Sequence, residues 1–247
     1  MNQEQTVLGV DIGGSSIKFC LMNSEEIVRY TTMGYENGKD PHAVVGMVNE
    51  IVQQWNVQGP IGIGFPGIVN GNRIIDAPNL GDEWSDFDLP ALLMQSVNRQ
   101  VSIINDADAA ALSMVQQTKG WEQENILCLT LGTGIGSAWL KQGQLYAGTE
   151  YGRIVHPNLN CSLEQWASVR TMNEQNLSIQ TWAERLSTIL EFLLDRFKPN
   201  RFILSGGITT SCDRWIALVQ ARISVPVEIA KYGDLSGAVG AAKLQVV

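Results

Sequence analysis

Two glycine-rich turns and a short acidic run between them are the parts of this chain best equipped to handle a phosphate. The first is Asp11-Ile-Gly-Gly-Ser-Ser-Ile-Lys18. Gly13 and Gly14 let backbone N–H groups come close to phosphate oxygens, Ser15 and Ser16 add hydroxyl donors, and Lys18 adds a cation. Asp11, at the end of an apolar run, is placed to hold Mg²⁺ through water. The second turn, Leu131-Gly-Thr-Gly-Ile-Gly-Ser137, offers the same chemistry through Gly132 and Gly134, with the Thr133 hydroxyl able to donate to a transferring phosphoryl group. A third, Ser205-Gly206-Gly207-Ile208, follows a hydrophobic stretch and precedes a predicted helix, where a phosphate chain can rest. The first is not a Walker loop, which is longer and leads into a helix. Each also has a plain reading as a tight turn.

Between the first two turns lies Asn105-Asp-Ala-Asp-Ala-Ala-Ala111. Asp106 can accept the proton of a sugar hydroxyl, the base role in phosphoryl transfer to an alcohol. Asp106 and Asp108 can equally be helix N-terminal caps favoured by the dipole. Taken alone, the residues favour the capping reading.

The elements that must position these groups follow from periodicity. Residues 6–10 and 17–22 read as strands joined by the first glycine turn, a hairpin rather than a crossover. Pro41 to Trp55 carries a helical apolar stripe, 61–65 and 101–104 read as strands, and Asp88-Leu-Pro opens a helix over 91–97. Small residues from Ala107 to Val115 mark the passage to a second α/β lobe. There the strand, glycine turn, strand theme returns over 126–140, with Thr130 in the place of Asp11. Ile179 to Phe197 is the strongest amphipathic helix, and its apolar face is core. Helices are also predicted over 211–223 and 235–246. The expected division is an N-terminal lobe over 1–107 and a C-terminal lobe over 108–247, with the final helix able to pack back on the first lobe.

The 247 residues suffice for two modest lobes. An apolar share of 45% against 17% charged residues excludes a disordered chain. A net charge of −8 disfavours non-specific binding to nucleic acid or an anionic membrane, so a polyanionic ligand needs a local basic patch. The four cysteines are scattered without zinc-ligand spacing, which reads as reduced thiols and no structural zinc. Met1 to Thr6 lacks the zones of a signal peptide and no apolar run reaches membrane-spanning length. A cytoplasmic protein with no membrane and no nucleic-acid partner is expected.

Taken in order, Asp11-Ile-Gly-Gly with Lys18, Phe65-Pro-Gly67, Ala77-Pro-Asn79, Asn105-Asp106, Leu131-Gly-Thr-Gly-Ile-Gly136, Thr149-Glu150-Tyr-Gly152 and Leu204-Ser-Gly-Gly207 resemble the motifs of ROK sugar kinases over essentially the whole chain. The Asp-Ala-Asp-Ala-Ala-Ala run, the Leu-Gly-Thr-Gly-Ile-Gly-Ser run and Trp182-Ala-Glu-Arg-Leu look most like the polyphosphate glucokinase branch. The resemblance implies a two-lobed, actin-like (ribonuclease H-like) α/β ATPase fold with a central cleft closing over a hexose. It implies Asp106 as base for the 6-hydroxyl of glucose or a related hexose, and Asn79, Asn105, Glu150 and Glu164 as sugar ligands. It further implies phosphate binding by Gly13 and Gly132 and their neighbours, with Gly206 and Gly207, Mg²⁺ as cofactor, polyphosphate or ATP as donor, and a homodimer. Glu164 can also be read as an acid in the first turn of a helix.

Two positions depart from the family pattern. Where the family has a histidine after Glu-X-Gly, this chain has Arg153, and Gly148 replaces an asparagine before the Thr-Glu pair. A guanidinium does not substitute for an imidazole hydrogen bond without rearrangement. Tolerance, altered sugar preference and loss of activity all stay open. Lys18, Lys141, Arg153 and Arg170 are the candidates for a polyphosphate track. The reading is therefore a glucose kinase using polyphosphate or ATP, set against an ATP-dependent kinase of another hexose or a catalytically weak sugar-binding regulator.

Overall fold

Thr6–Ile12 (β1) and Ser16–Asn23 (β2) pair antiparallel with Asp11 opposite Lys18, so the first glycine turn is the tip of a hairpin. The computed structural model describes residues 6–24, 26–36, 38–77, 80–114 and 121–244. Glu26–Gly34 (β3) extends the hairpin at one edge. Pro41–Gln54 (α1) starts where Asp40 accepts from the His42 and Ala43 N–H groups and Pro41 supplies a preset φ. Ile61–Phe65 (β4) adds parallel to β1. After the small ribbon Ile68–Asn70 (β5) and Arg73–Asp76 (β6), Leu89–Val97 (α2) leads to Val101–Asn105 (β7), which is parallel to β4. Asp106–Leu112 (α3) follows without a loop. The sheet order is β3-β2-β1-β4-β7.

The second sheet repeats that plan. Asn125–Leu131 (β8), Ile135–Lys141 (β9) and Gln144–Tyr146 (β10) form an antiparallel meander. Leu163–Ala167 (α4), Val169–Glu174 (α5) and Ile179–Phe197 (α6) precede Arg201–Ser205 (β11), which is parallel to β8. Ile216–Gln220 (α7) and Val227–Ile229 (β12) complete it in the order β10-β9-β8-β11-β12. Asp11 lies opposite Gly64 in β4, and Thr130 lies opposite Ser205 in β11, so the two residues hold equivalent places. A final helix, Ser236–Lys243 (α8), belongs to the first sheet.

Two compact units result: residues 1–113 with 237–247, and residues 114–236. The change of unit falls after Ser113 rather than at residue 107, because α3 caps directly on the end of β7 and its alanines are buried there. The core of the first unit gathers Val10, Phe19, Val48, Ile63, Phe65 and Trp84. That of the second gathers Leu129, Trp139, Trp182, Leu186, Leu190 and Trp215, with Trp182 edge-on to Trp215 at 5.2 Å. Each such side chain contributes about 1.5–3 kcal/mol by leaving water. Among the described residues no helix is long and apolar enough to cross a membrane.

The small residues of α8 have a packing cause. A methyl group on Gly9 would lie 1.8 Å from the Ala238 carbonyl oxygen, and one on Gly62 would lie 1.7 Å from that of Ala241. The helix therefore rests directly on the backbone of β1 and β4, which only glycine permits.

One predicted helix is not continuous. Residues 207–214 form a 3₁₀ run, Ser211 leaves helical geometry at φ −115°, and only 216–220 is α-helical. The hydroxyls of Thr209, Thr210 and Ser211 each donate to the carbonyl three residues back, which favours the tighter winding.

Arg201 ties the start of β11 to the approach of β8. Its Nε meets Glu124 Oε2 at 2.8 Å and its Nη2 meets Oε1 at 3.0 Å, while Nη1 reaches Glu228. The Arg201 hydrogen bonds hold the Glu124 carboxyl below its ordinary range. A depressed folded-state pKa means that this stabilisation is complete above the unfolded carboxylate value and fades as pH falls through the folded one. Glu124→Gln is thus expected to cost about 1 kcal/mol at pH 7. Urea midpoints measured from pH 7 to pH 3 should converge with those of the wild type at the acid end.

Candidate functional site

In the first unit the hairpin tip is closed by the Gly13 N–H donating to Ser16 O at 2.9 Å. Asp11 stands at the base of the turn, its carboxylate 3.8 Å from Lys18 Nζ and only 13% exposed. Gly237, in the first turn of α8, fits against that carboxylate so closely that a methyl group there would lie 2.6 Å from Oδ2. Gly64 is closed in as well: a methyl group on it would meet Ala109 Cβ at 3.2 Å, Asp106 Cα at 3.6 Å and Asp11 Oδ1 at 3.7 Å. The strand carrying Gly64 thus brings two acidic residues, far apart in sequence, to one spot beside the glycine turn.

The cap of α3 is Asn105. Its Oδ1 accepts from the N–H groups of Ala107 and Asp108 at 2.9 and 3.1 Å, and its Nδ2 donates to Gly67 O at 3.0 Å. Capping is therefore done one residue before Asp106, which occupies the first helical position, half-buried, with Oδ1 accepting from the Ala107 N–H at 2.8 Å. Asp108 points into the protein at 3% exposure. Asn79 lies outside the described residues.

Two side chains that the motifs do not include brace the first turn. The Tyr35 hydroxyl donates to Gly13 O and the Lys39 ammonium donates to Gly14 O. Burial, followed by the charge of Asp11, pushes the Tyr35 hydroxyl far above its ordinary pKa, so it stays a donor. The sequence signal was thin: a lysine between Gly38 and the capping Asp40, in a segment with no periodicity.

In the second unit Gly132 N–H donates to Gly134 O at 3.1 Å, and Gly132 O accepts from Val169 N–H at 2.9 Å. Gly206, at φ +104°, lies under Leu131, whose carbonyl oxygen would be 2.3 Å from any added methyl group. The second and third turns are therefore neighbours at the carboxyl ends of β8 and β11. The third turn opens the 3₁₀ run and not the expected α-helix, so it lacks a full helix dipole. Glu164, in the first turn of α4, leans on the second turn, with Oε2 3.4 Å from the Ile135 N–H. It is half-buried, in the first turn of α4.

Glu150 opens a short 3₁₀ turn over Tyr151–Arg153 that is pinned to β9. Ser137 Oγ donates to Thr149 O at 3.0 Å and accepts from the Tyr151 N–H at 2.9 Å. Arg153 Nε lies 3.3 Å from Glu150 Oε2, so the residue standing where the family histidine would be forms an ion pair with its neighbour. His156 is a core histidine packed on Phe192. Of the other track candidates, Lys141 sits over the Trp139 and Tyr146 rings at the far end of β9 from the glycine turn. Arg170 directly follows the residue bonded to that turn.

Two α/β units, each built on a glycine-tipped hairpin extended by parallel strands, constitute the actin-like ATPase fold. Residues 7–168 match the ROK family, and the chain belongs to that family. It is 32% identical to the polyphosphate glucokinase of Mycobacterium leprae (strain TN) over 242 residues, covering 95% of this chain and 72% of that protein. The crystal structure of the inorganic polyphosphate/ATP-glucomannokinase from Arthrobacter sp. strain KM superposes with a TM-score of 0.90 at 28% identity, covering 98% of both chains. A ROK family glucokinase from Streptomyces griseus, solved with glucose and AMPPNP, gives 0.79 at 25% identity, covering 98% of this chain and 99% of that one.

Proposed function

We propose that this chain is a hexose kinase that transfers a phosphoryl group from polyphosphate or ATP to the 6-hydroxyl of glucose. The observation that carries the reading is the meeting of Asp106 and Asp11 over Gly64, beside a turn built to approach phosphate. Asp106 orients the sugar hydroxyl and takes its proton as the oxygen attacks the terminal phosphorus, the donor's bridging oxygen leaving with the bond's electron pair. The N–H groups of Gly13 to Ser16 and of Gly132 to Gly134 bind the phosphates and stabilise the charge on the transferring group. The second Nδ2 hydrogen of Asn105, with Glu150 and Glu164, binds sugar hydroxyls.

Among the described residues no group of three or more His, Cys, Asp or Glu side chains is placed to cage a metal. A single carboxylate suits Mg²⁺, which commonly keeps several waters and binds through one or two carboxylates plus substrate phosphates. Asp11 is the residue that would hold it. When bound, the ion neutralises phosphate charge.

A coupled assay for glucose 6-phosphate, run with polyphosphate and then with ATP, tests the reading. Turnover with either donor is expected. Glucose binding with no product from either would replace the kinase with a sugar sensor. Mannose belongs in the same assay, because the Arthrobacter neighbour is a glucomannokinase and the Arg153–Glu150 pair alters the sugar-binding edge.

A further inference from the structure

Lys39 reaches the first glycine turn from the loop ahead of α1. Its ammonium donates to Gly14 O and stands 5.3 Å from the centroid of the Tyr35 ring, and Tyr35 is itself tied to Gly13 O. The backbone of Lys39 is held without help from its side chain. The fully buried Trp84 donates Nε1 to Lys39 O at 2.9 Å, and Asp40 is fixed as the cap of α1. An exposed lysine loses rotamer freedom when it grips an anion. Here the head group is already placed, so most of that cost is met in the fold. An ammonium has three N–H donors and Gly14 takes one. Lys18 reaches the same turn from β2. Two lysines from separate elements therefore converge on one turn in a chain of net charge −8.

Building on the reading of this turn as the donor's phosphate grip, we propose that Lys39 is a binding residue for a phosphoanhydride chain. Its remaining N–H groups bond a phosphate of the donor, and together with Lys18 it forms the local basic patch that polyphosphate needs. A long polyphosphate presents charge along its whole length and engages both lysines, whereas the sugar meets neither.

Calorimetric titration with long-chain polyphosphate, without sugar and at two salt concentrations, separates this inference from the kinase reading. Lys39→Met is expected to bind about fivefold more weakly, the loss of one exposed charge pair worth up to about 1 kcal/mol. The slope of log affinity against log salt should fall by about one. Lys39→Arg should stay near the wild type. In turnover, the KM for polyphosphate should rise by the same factor and the KM for glucose should not follow it. Equal polyphosphate affinity in Lys39→Met and wild type at unchanged thermal stability overturns the assignment, as does a wild type that binds no polyphosphate. Tight, Lys39-dependent binding without any glucose 6-phosphate would overturn the kinase reading and leave Lys39 in place.

Discussion

Asp106→Asn is expected to lower kcat by about 10²–10⁴-fold while glucose still binds, the range that a positioned general base supplies. The substitution is well suited to isolating the proton transfer. An asparagine oxygen can still accept from the Ala107 N–H, and the cap of α3 is provided by Asn105, so the helix start survives. What the variant loses is the carboxylate proposed as the base. Turnover from the glucose 6-phosphate assay, set against equilibrium glucose binding followed by tryptophan fluorescence, gives the two numbers needed. A folded, glucose-binding variant with near-normal turnover removes Asp106 from the base role.

The largest effect on stability is expected at Gly62. Its added methyl group in Gly62→Ala would fall 1.7 Å from the Ala241 carbonyl oxygen, a backbone atom in the middle of α8 that cannot swing aside. Overpacking of this kind costs about 1–3 kcal/mol and occasionally more, and the upper end is expected where backbone meets backbone. The urea midpoint should drop accordingly. Activity should fall with it, since α8 also brings Gly237 against the Asp11 carboxylate. Gly46→Ala is the control. It lies exposed in α1 with nothing within 4 Å of an added methyl group, and there the change should stabilise by about 0.5–1 kcal/mol. A Gly62→Ala protein as stable as the wild type would mean that α8 does not sit on β4 as described.

Much of the architecture was legible because it rests on local periodicity. The helix over 179–197 and the hairpins flanking both glycine turns follow from apolar spacing and from turn residues that tolerate close backbone approach. The run after Ile208 was not, because hydroxyl-to-carbonyl bonds decided its winding and an apolar pattern does not record them. Of the candidate site residues, the glycines and Asp106 stood out through sequence order. Tyr35, Lys39 and the place of Gly64 beside Asp11 and Asp106 did not, since each matters through a partner distant along the chain. Glu164 was legible as a residue but not in its setting, against the Ile135 N–H.

The first unit is interrupted, with all of the second lying between α3 and α8. During synthesis on the ribosome, residues 114–236 have their own partners before α8 emerges, while the backbone trough over Gly9 and Gly62 stays uncovered until α8 arrives. Such a delayed, non-local closure is slow and leaves an apolar surface open to wrong partners in the meantime. The Asp11 pocket, which needs Gly237 from α8, can therefore close only after the whole of residues 114–236 has been made.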